Sequence, residues 1–271
     1  MMAVDRYAAA GRRWATGAAL VYGPIAEQLV ARCPHQLNGR TVLDAGAGTG
    51  VASVALAAQG AHPVAVDFSH DMLSWNATTR PPAAVADVCA LPLAGGSVDD
   101  SVAAFVLNHL VQPANGFAEL VRVTRPGGAV LACVYSNASR SDARDRVDEV
   151  AKQAGWQVPN WYVEIKAKAV PLLGRAEDMA TVARAAGLDA VAVDEGPADV
   201  GVTTAEQLVD YRFGQAHFAA WLDHIGAQRV DEVRRQAAAA VRPIMRPYRP
   251  IVVFLTARVP SRPVPAPGEM G

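Results

Sequence analysis

The sequence predicts an α/β fold: a Rossmann-like, doubly wound sheet of seven strands, mostly parallel, with a helical cap inserted before the last strand. Three observations predict it. Between residues 40 and 135, short apolar runs alternate with helix-length stretches, the pattern of strands joined by crossover helices. The run Thr41–Ala45 passes into Gly46, Ala47, Gly48, Thr49 and Gly50 and then into a helix-forming stretch from Val51. Glycine lets a ligand approach the backbone closely there, and the helix N-terminus adds unpaired N–H donors. Hydrophobic residues make up 51% of the chain against 19% charged, enough to cover a sheet on both faces.

Taken in order, residues 5–17 and 21–33 read as two helices ahead of the first strand, Thr41–Ala45. Val51–Gly60 is a helix that ends on its glycine. His62–Asp67 is strand two, and Asp71–Thr78 a short helix with Ser69 as its N-cap. Ala83–Ala86 and Asp100–Leu107 are strands three and four, and Pro113–Val123 is the next helix. Pro126, Gly127 and Gly128 turn the chain into strand five, Ala129–Tyr135. Ser141–Gly155 reads as a helix and residues 156–175 as irregular chain carrying Trp156, Trp161 and Tyr162. Arg175–Gly187 is a helix, Leu188–Asp194 strand six, and Ile251–Val259 the last strand. Between those strands, Thr204–Arg242 is helical with breaks near Gly214 and Gly226, far longer than an ordinary connection. The division expected is lid helices over 1–38, a ligand-binding domain over 39–197 with 250–259, a substrate cap over 198–249, and a disordered tail over 260–271.

Composition narrows the function. With 25 basic and 26 acidic residues the net charge is −1, which argues against a nucleic-acid partner. No apolar run reaches the roughly 18–20 residues that span a bilayer, so no membrane insertion is expected. The start, MMAVDRYAAAGRRW, lacks the apolar core of a secretion signal. Cys33, Cys89 and Cys133 form no metal-binding spacing, so no metal is expected, and a reduced, cytoplasmic setting fits them. The cap helices leave a homo-oligomer open.

Glycines 46, 48 and 50 alone fit several nucleotide cofactors, although a nicotinamide site favours G-x-G-x-x-G over the G-x-G-x-G present here. Asp44, just before the first glycine, would repel a pyrophosphate and attract an ammonium group. Asp67, at the end of strand two, can accept hydrogen bonds from ribose hydroxyls. Asp87 follows strand three, where it can accept from an adenine amino group.

Four blocks in order, VLDAGAGTG, VAVDFSHDML, ADVCALPLAGGSVDDSVAAFVLNHL and ELVRVTRPGGAVL, cover roughly residues 40–135. With them the chain resembles the class I S-adenosylmethionine-dependent methyltransferases, and is similar to the ubiquinone/menaquinone-biosynthesis type and its small-molecule relatives. The resemblance implies that the loop from Asp44 to Gly50 wraps the methionine part of S-adenosylmethionine, with Asp44 near its ammonium group. It implies that Asp67 holds the ribose, that Phe68, Met72 and Val88 line the adenine, and that Asp87 bonds its amino group. Phe105 would run past the methyl-bearing sulfur, and Tyr7, Trp14 and Tyr22 are candidate lid contacts.

The expected partner is a small-molecule methyl acceptor. His109, just after strand four, is the candidate general base, needed only for a poorly ionised hydroxyl or carbon acid. His217 and His224 are lesser candidates. Tyr211, Phe213, His217, Phe218 and Trp221, with Trp156, Trp161 and Tyr162, either line an apolar or aromatic acceptor pocket or glue the cap to the sheet. The arginines at 229, 234, 235, 242, 246 and 249 read as a solvated helix face or as a site for an anionic group. No acidic metal cluster follows strand four, and no Asn-Pro-Pro-Tyr or Pro-Cys motif for nucleic-acid bases is present. A nicotinamide-dependent oxidoreductase and a non-catalytic S-adenosylmethionine-binding protein remain the alternatives.

Overall fold

The computed structural model describes residues 6–7 and 9–261; most of the tail expected over 260–271 lies outside them. Seven strands form one sheet in the order β3-β2-β1-β4-β5-β7-β6. They are β1 (Thr41–Ala45), β2 (His62–Asp67), β3 (Ala83–Val85), β4 (Asp100–Ala104), β5 (Ala129–Tyr135), β6 (Asp189–Pro197) and β7 (Ile251–Arg258). The first five run parallel, whereas β7 is antiparallel to both β5 and β6.

Side chains alternate across the pleat, so neighbours in a strand enter different cores. Val42, Val102, Cys133 and Phe254 face one core, and Leu43, Ala103, Ala132 and Leu255 the other. The second core is closed by α5 (Pro113–Val123) and α8 (Ala176–Ala185), through Phe117, Leu120 and Met179. The first is closed by α2 (Ala19–Val30) and α3 (Val51–Ala58), and by α6 (Asp142–Gln153). Three later helices share it: α9 (Ala205–Phe213), α10 (Ala216–Ile225) and α11 (Ala227–Val241). The insertion before the last strand therefore shares its core with the sheet domain.

The helix expected over Asp71–Thr78 spans only His70–Ser74, and strand six runs on from Asp194 to Pro197; three other elements differ more. The two N-terminal helices are one continuous run: α1 (Gly11–Arg13), a π-helical segment Trp14–Ala18, and α2. Gly17 does not break it. A Cβ there would stand 2.4 Å from the Asp210 carbonyl, and one on Gly214 would stand 2.2 Å from the Ala18 nitrogen. The two glycines let this helix and the end of α9 touch backbone to backbone. Residues 156–175 are not irregular: α7 (Asn160–Lys168) is a helix, followed by a 3₁₀ turn at Val170–Leu172. Strand four stops at Ala104, because Phe105 takes φ +59° and a 3₁₀ turn follows at Leu107–His109.

The C-terminal ends of β1, β2, β3 and β4 lie along one edge. The strand order reverses between β1 and β4, and doubly wound sheets hold ligands in the crevice outside such a switch point. No described helix is long and apolar enough to cross a membrane.

Candidate functional site

At that edge lies a cavity of about 670 Å³, here called the loop cavity. Gly46 and Gly48 form part of its wall, at φ +71° and +54°. The amides of Gly46 and Ala47 donate to the Val66 carbonyl at 2.8 and 2.9 Å, folding the loop back onto β2. A Cβ on Gly46 would come within 2.4 Å of the Val106 Cβ, so the turn admits no side chain.

Asp67 lines this cavity and also organises it. Its Oδ2 accepts from the Gly48 amide at 2.7 Å and its Oδ1 from the Ser69 amide at 2.8 Å. Ser69 in turn caps α4 (His70–Ser74), its hydroxyl accepting from the Met72 amide. The cap brings Met72, which is buried, and Phe68, 45% exposed, to the same wall. Asp87 and Val88 complete that side, with Asp87 Oδ1 accepting from the Cys89 amide at 2.8 Å. Phe105 and Tyr22 lie at the far end.

Two expected residues stand off the wall. Gly50 is the N-cap of α3 at φ +96° and starts the helix. Asp44 lies on the same strand face as Val42, turned toward α3, where its Oδ2 accepts from the Ser53 hydroxyl at 2.6 Å. The side chain is 1% exposed and Oδ1 has no partner among the described residues. Burial raises its pKa to about 6, against the Ser53 hydrogen bonds, which lower it. A buried carboxylate with one oxygen unsatisfied is costly unless a donor arrives.

A second cavity, of about 550 Å³, adjoins the first; it is here called the basic cavity. Tyr7, Trp14, Tyr22, Phe105, His109 and Ile165 line both, so they form the wall between them. The positive φ at Phe105 is uncommon for a bulky residue and turns its ring into this wall, 4.8 Å from the ring of Tyr22 and 4.6 Å from that of Tyr135. His109 Nδ1 lies 2.7 Å from the Tyr7 hydroxyl. Burial first, then the Arg6 and Lys166 charges, push its pKa down to about 4, so it is neutral at neutral pH.

Around the basic cavity, Gln215 Nε2 donates to the hydroxyls of Tyr22 and Tyr211 at 3.1 and 3.3 Å, and the Tyr135 hydroxyl lies 3.1 Å from that of Tyr211. Burial pushes the pKa of all three tyrosines up, so they stay protonated. Trp161, Tyr162, Tyr211 and His217 reach the cavity. Phe213, Phe218 and Trp156 do not: they are buried in the core with Trp156 stacked on Phe218 at 4.1 Å, and Trp221 packs against that core.

Arg140, Arg144, Lys166 and Arg212 also line the basic cavity, and none was singled out from sequence. The arginines that were lie elsewhere. Arg229, Arg242 and Arg249 pair with Glu232, Glu206 and Asp199 at 2.5, 2.5 and 3.5 Å, and Arg234 pairs with Asp210. No local pattern pointed here, since Arg140 lies in the loop before α6 and Arg144 in its first turn. Among the described residues no group of His, Cys, Asp and Glu could hold a metal ion.

Residues 43–132 match the methyltransferase domain family. The demethylmenaquinone methyltransferase of Clavibacter sepedonicus is 42% identical over 110 residues, 39% of this chain and 45% of that protein. The chain thus spans less than half the length of the curated relatives it matches. Among solved structures, a putative methyltransferase from an antibiotic biosynthesis pathway of Anabaena variabilis superposes with a TM-score of 0.60 at 17% identity, over 85% of this chain and 95% of that one. Haemonchus contortus phosphoethanolamine N-methyltransferase 2, bound to phosphomonomethylethanolamine and S-adenosylhomocysteine, superposes with a TM-score of 0.56 at 18% identity, over 87% of this chain and 52% of that one. At such identities these likenesses are likenesses of fold.

Proposed function

We propose that this chain, which carries a methyltransferase domain over residues 43–132, is an S-adenosylmethionine-dependent methyltransferase acting on oxygen, nitrogen or carbon of a small molecule. The observation that carries the reading is the pair of adjoining cavities: a glycine-loop cavity edged by Asp67 and Asp87, sharing one wall with a second chamber. S-adenosylmethionine, when bound, supplies the methyl group on a sulfonium centre, so the hard chemistry is the cofactor's and the protein orients it.

Each residue then has work that fits its place. The Gly46–Gly50 turn admits the methionine part, and Asp44 supplies negative charge beneath it for the ammonium group. Asp67 has its two oxygens directed by the Gly48 and Ser69 amides and meets the ribose hydroxyls. Phe68, Met72 and Val88 enclose the adenine, and Asp87 accepts from its amino group. Tyr22 and Phe105 form the wall through which the two ligands meet and keep water from it. Holding an acceptor close behind the methyl, in line, is worth several kcal/mol. The helices over 198–249 close the acceptor side through Tyr211, Arg212 and His217.

The test is calorimetry with S-adenosylmethionine and with NADH, followed by detection of S-adenosylhomocysteine after incubation with a panel of acceptors. Binding of the first and not the second is expected, with turnover on some acceptor. Absence of S-adenosylmethionine binding overturns the reading, and binding without turnover on any acceptor reduces it to a binding protein.

Two further outcomes follow from the geometry. Because a bound ammonium group favours the ionised Asp44, binding at acid pH has to expel a proton from it. Affinity for S-adenosylmethionine therefore falls as the pH drops through about 6, by up to about tenfold per unit. Asp44→Asn binds more weakly and with no such pH dependence; a titration series by calorimetry reads both. The sign for stability is the reverse: the folded, unliganded protein holds this proton more tightly than the unfolded chain, so Asp44 costs stability as the pH rises from 3.8 toward 6.

His109 is the group placed to take a proton from a hydroxyl acceptor at the shared wall. Its pKa near 4 leaves it unprotonated at neutral pH. His109→Ala is expected to lower kcat by about a hundredfold and leave cofactor affinity within about twofold. Undiminished turnover removes it as the base.

A further inference from the structure

We propose that the basic cavity takes an acceptor bearing an anionic group, a carboxylate or a phosphate ester, opposite the end that receives the methyl. This rests on the methyl-transfer reading for which chamber holds the acceptor, and it names the class of molecule.

Four cations converge on one concavity from four segments: Arg140 from the loop after β5, Arg144 from α6, Lys166 from α7 and Arg212 from α9. Two carboxylates answer them. Asp148 takes Arg212 in a two-pronged pair at 2.7 Å, and Asp145, 54% exposed, lies 3.0 Å from Arg144. Arg140 spends one guanidinium nitrogen on the carbonyls of Asn137 and Ser139, which leave its charge uncancelled. Among the described residues, neither Arg140 nor Lys166 has a carboxylate within 4.0 Å. After burial, the charges of Arg144, Arg212 and Arg140 are what lower the Lys166 pKa, so the cations act on one another across the chamber. Asp145 also lines the cavity, so four cations face one carboxylate there; a concavity with such an excess of one sign concentrates ligands of the other sign, and planar guanidinium forks match carboxylate and phosphate oxygens.

A second observation points to a ligand in the same space. Asn108 Oδ1 and His217 Nε2 are buried atoms of residues on this wall, and neither has a hydrogen-bond partner among the described residues. Buried polar groups are nearly always satisfied. His217 is kept neutral, by burial first and then by Arg212, Lys166 and Arg144, so its free nitrogen suits a hydrogen bond rather than an ion pair. Asn108 precedes His109, which lies on the wall shared with the loop cavity. The arrangement is thus polar in an ordered way: Asn108 Oδ1 accepts from a second O–H or an N–H beside the reacting group, and Arg144, Arg140 and Lys166 hold the anionic end. The tyrosine and tryptophan rings between them pack on the body of the molecule. The family match ends at residue 132, before any of the four cations, so the matched stretch says nothing of this chemistry.

The probes are benzoate, phenyl phosphate and neutral benzyl alcohol, titrated into the full chain with and without S-adenosylhomocysteine. The fluorescence of Trp14 and Trp161, which line the chamber, reports binding. At least one anion is expected to bind at least tenfold more tightly than benzyl alcohol, and to weaken with added salt. Which anion binds more tightly separates carboxylate from phosphate. Arg144→Met and Lys166→Met should each weaken the anion at least tenfold while the affinities for benzyl alcohol and S-adenosylhomocysteine stay unchanged. Equal binding of charged and neutral probes, no binding of either anion, or anion binding untouched by both substitutions overturns the proposal. Failure to bind S-adenosylhomocysteine counts instead against the methyl-transfer reading, since the anion titration is read without it as well.

Discussion

Asp67→Ala is expected to abolish measurable affinity for S-adenosylmethionine while the protein stays folded. Hydrogen bonds to a charged carboxylate are each worth about 1.5–3 kcal/mol. Losing two to the ribose diol is a loss of at least about a hundredfold in affinity. The substitution also removes the acceptor for the Gly48 and Ser69 amides, so the glycine turn loosens along with the proposed ribose contact. Calorimetry measures the first effect and circular dichroism checks the fold. Asp67→Asn separates the two contributions, because its amide oxygen still accepts from one backbone amide while the charge is gone; its affinity should lie between wild type and Asp67→Ala. Wild-type affinity in Asp67→Ala would sink the assignment of the loop cavity to the cofactor.

Gly46→Ala is expected to be strongly destabilising for a single added methyl group. The residue holds φ +71°, where an L side chain costs roughly 1–2 kcal/mol. The new Cβ would also sit 2.4 Å from the Val106 Cβ, and overpacking of this kind costs typically 1–3 kcal/mol. Together about 2–5 kcal/mol would be lost, which for a chain of this size lowers Tm by roughly 5–15 °C. Cofactor affinity should fall as well, because the loop would move away from Val66. The double variant Gly46→Ala with Val106→Gly, compared with Val106→Gly alone, tests the cause: removing the Val106 Cβ and its methyls should recover the part due to the clash and keep the part due to φ. No recovery at all would rule out the Val106 contact as a source of the loss.

The sheet was legible in the sequence to a degree that follows from its burial. β2, β5 and α5 have the bounds expected from the sequence, and β5 shows why most plainly, since six of its seven residues are buried. The loop cavity was legible for the same local reason: one strand, one turn and one helix supply the glycines, and two strand ends supply Asp67 and Asp87. Where local pattern and tertiary contact disagree, the contact prevails. Gly17 looks like a helix breaker and is instead the place where another backbone presses in. The apolar run past Ala104 looks like more strand, but after its amide donates to the Cys133 carbonyl Phe105 takes φ +59° and its ring faces the cavities. α7 has little amphipathic pattern and buries only Ile165, so nothing in its own residues announced it. The basic cavity had no motif to find, because its cations lie on four segments between residues 140 and 212 that meet only in three dimensions. Of the arginines that did cluster in sequence, Arg229, Arg234, Arg242 and Arg249 are occupied by Glu232, Asp210, Glu206 and Asp199.

The contact between Gly17 and Gly214 has an evolutionary corollary. The N-terminal helix carries Trp14 and Tyr22 into the partition between the chambers, and α9 carries Tyr211 and Arg212 into the basic cavity. Their spacing is fixed where the two glycines meet, so a methyl at either position would push the helices apart and misalign both sets. Selection on the acceptor should therefore appear as covariation: homologues that keep this partition should keep glycine at both positions together. A lineage that enlarges one position should change the other, and its acceptor chamber, in step. The pair is thus a two-residue marker for sorting homologues by the shape of the basic cavity, using sequence positions that line neither cavity.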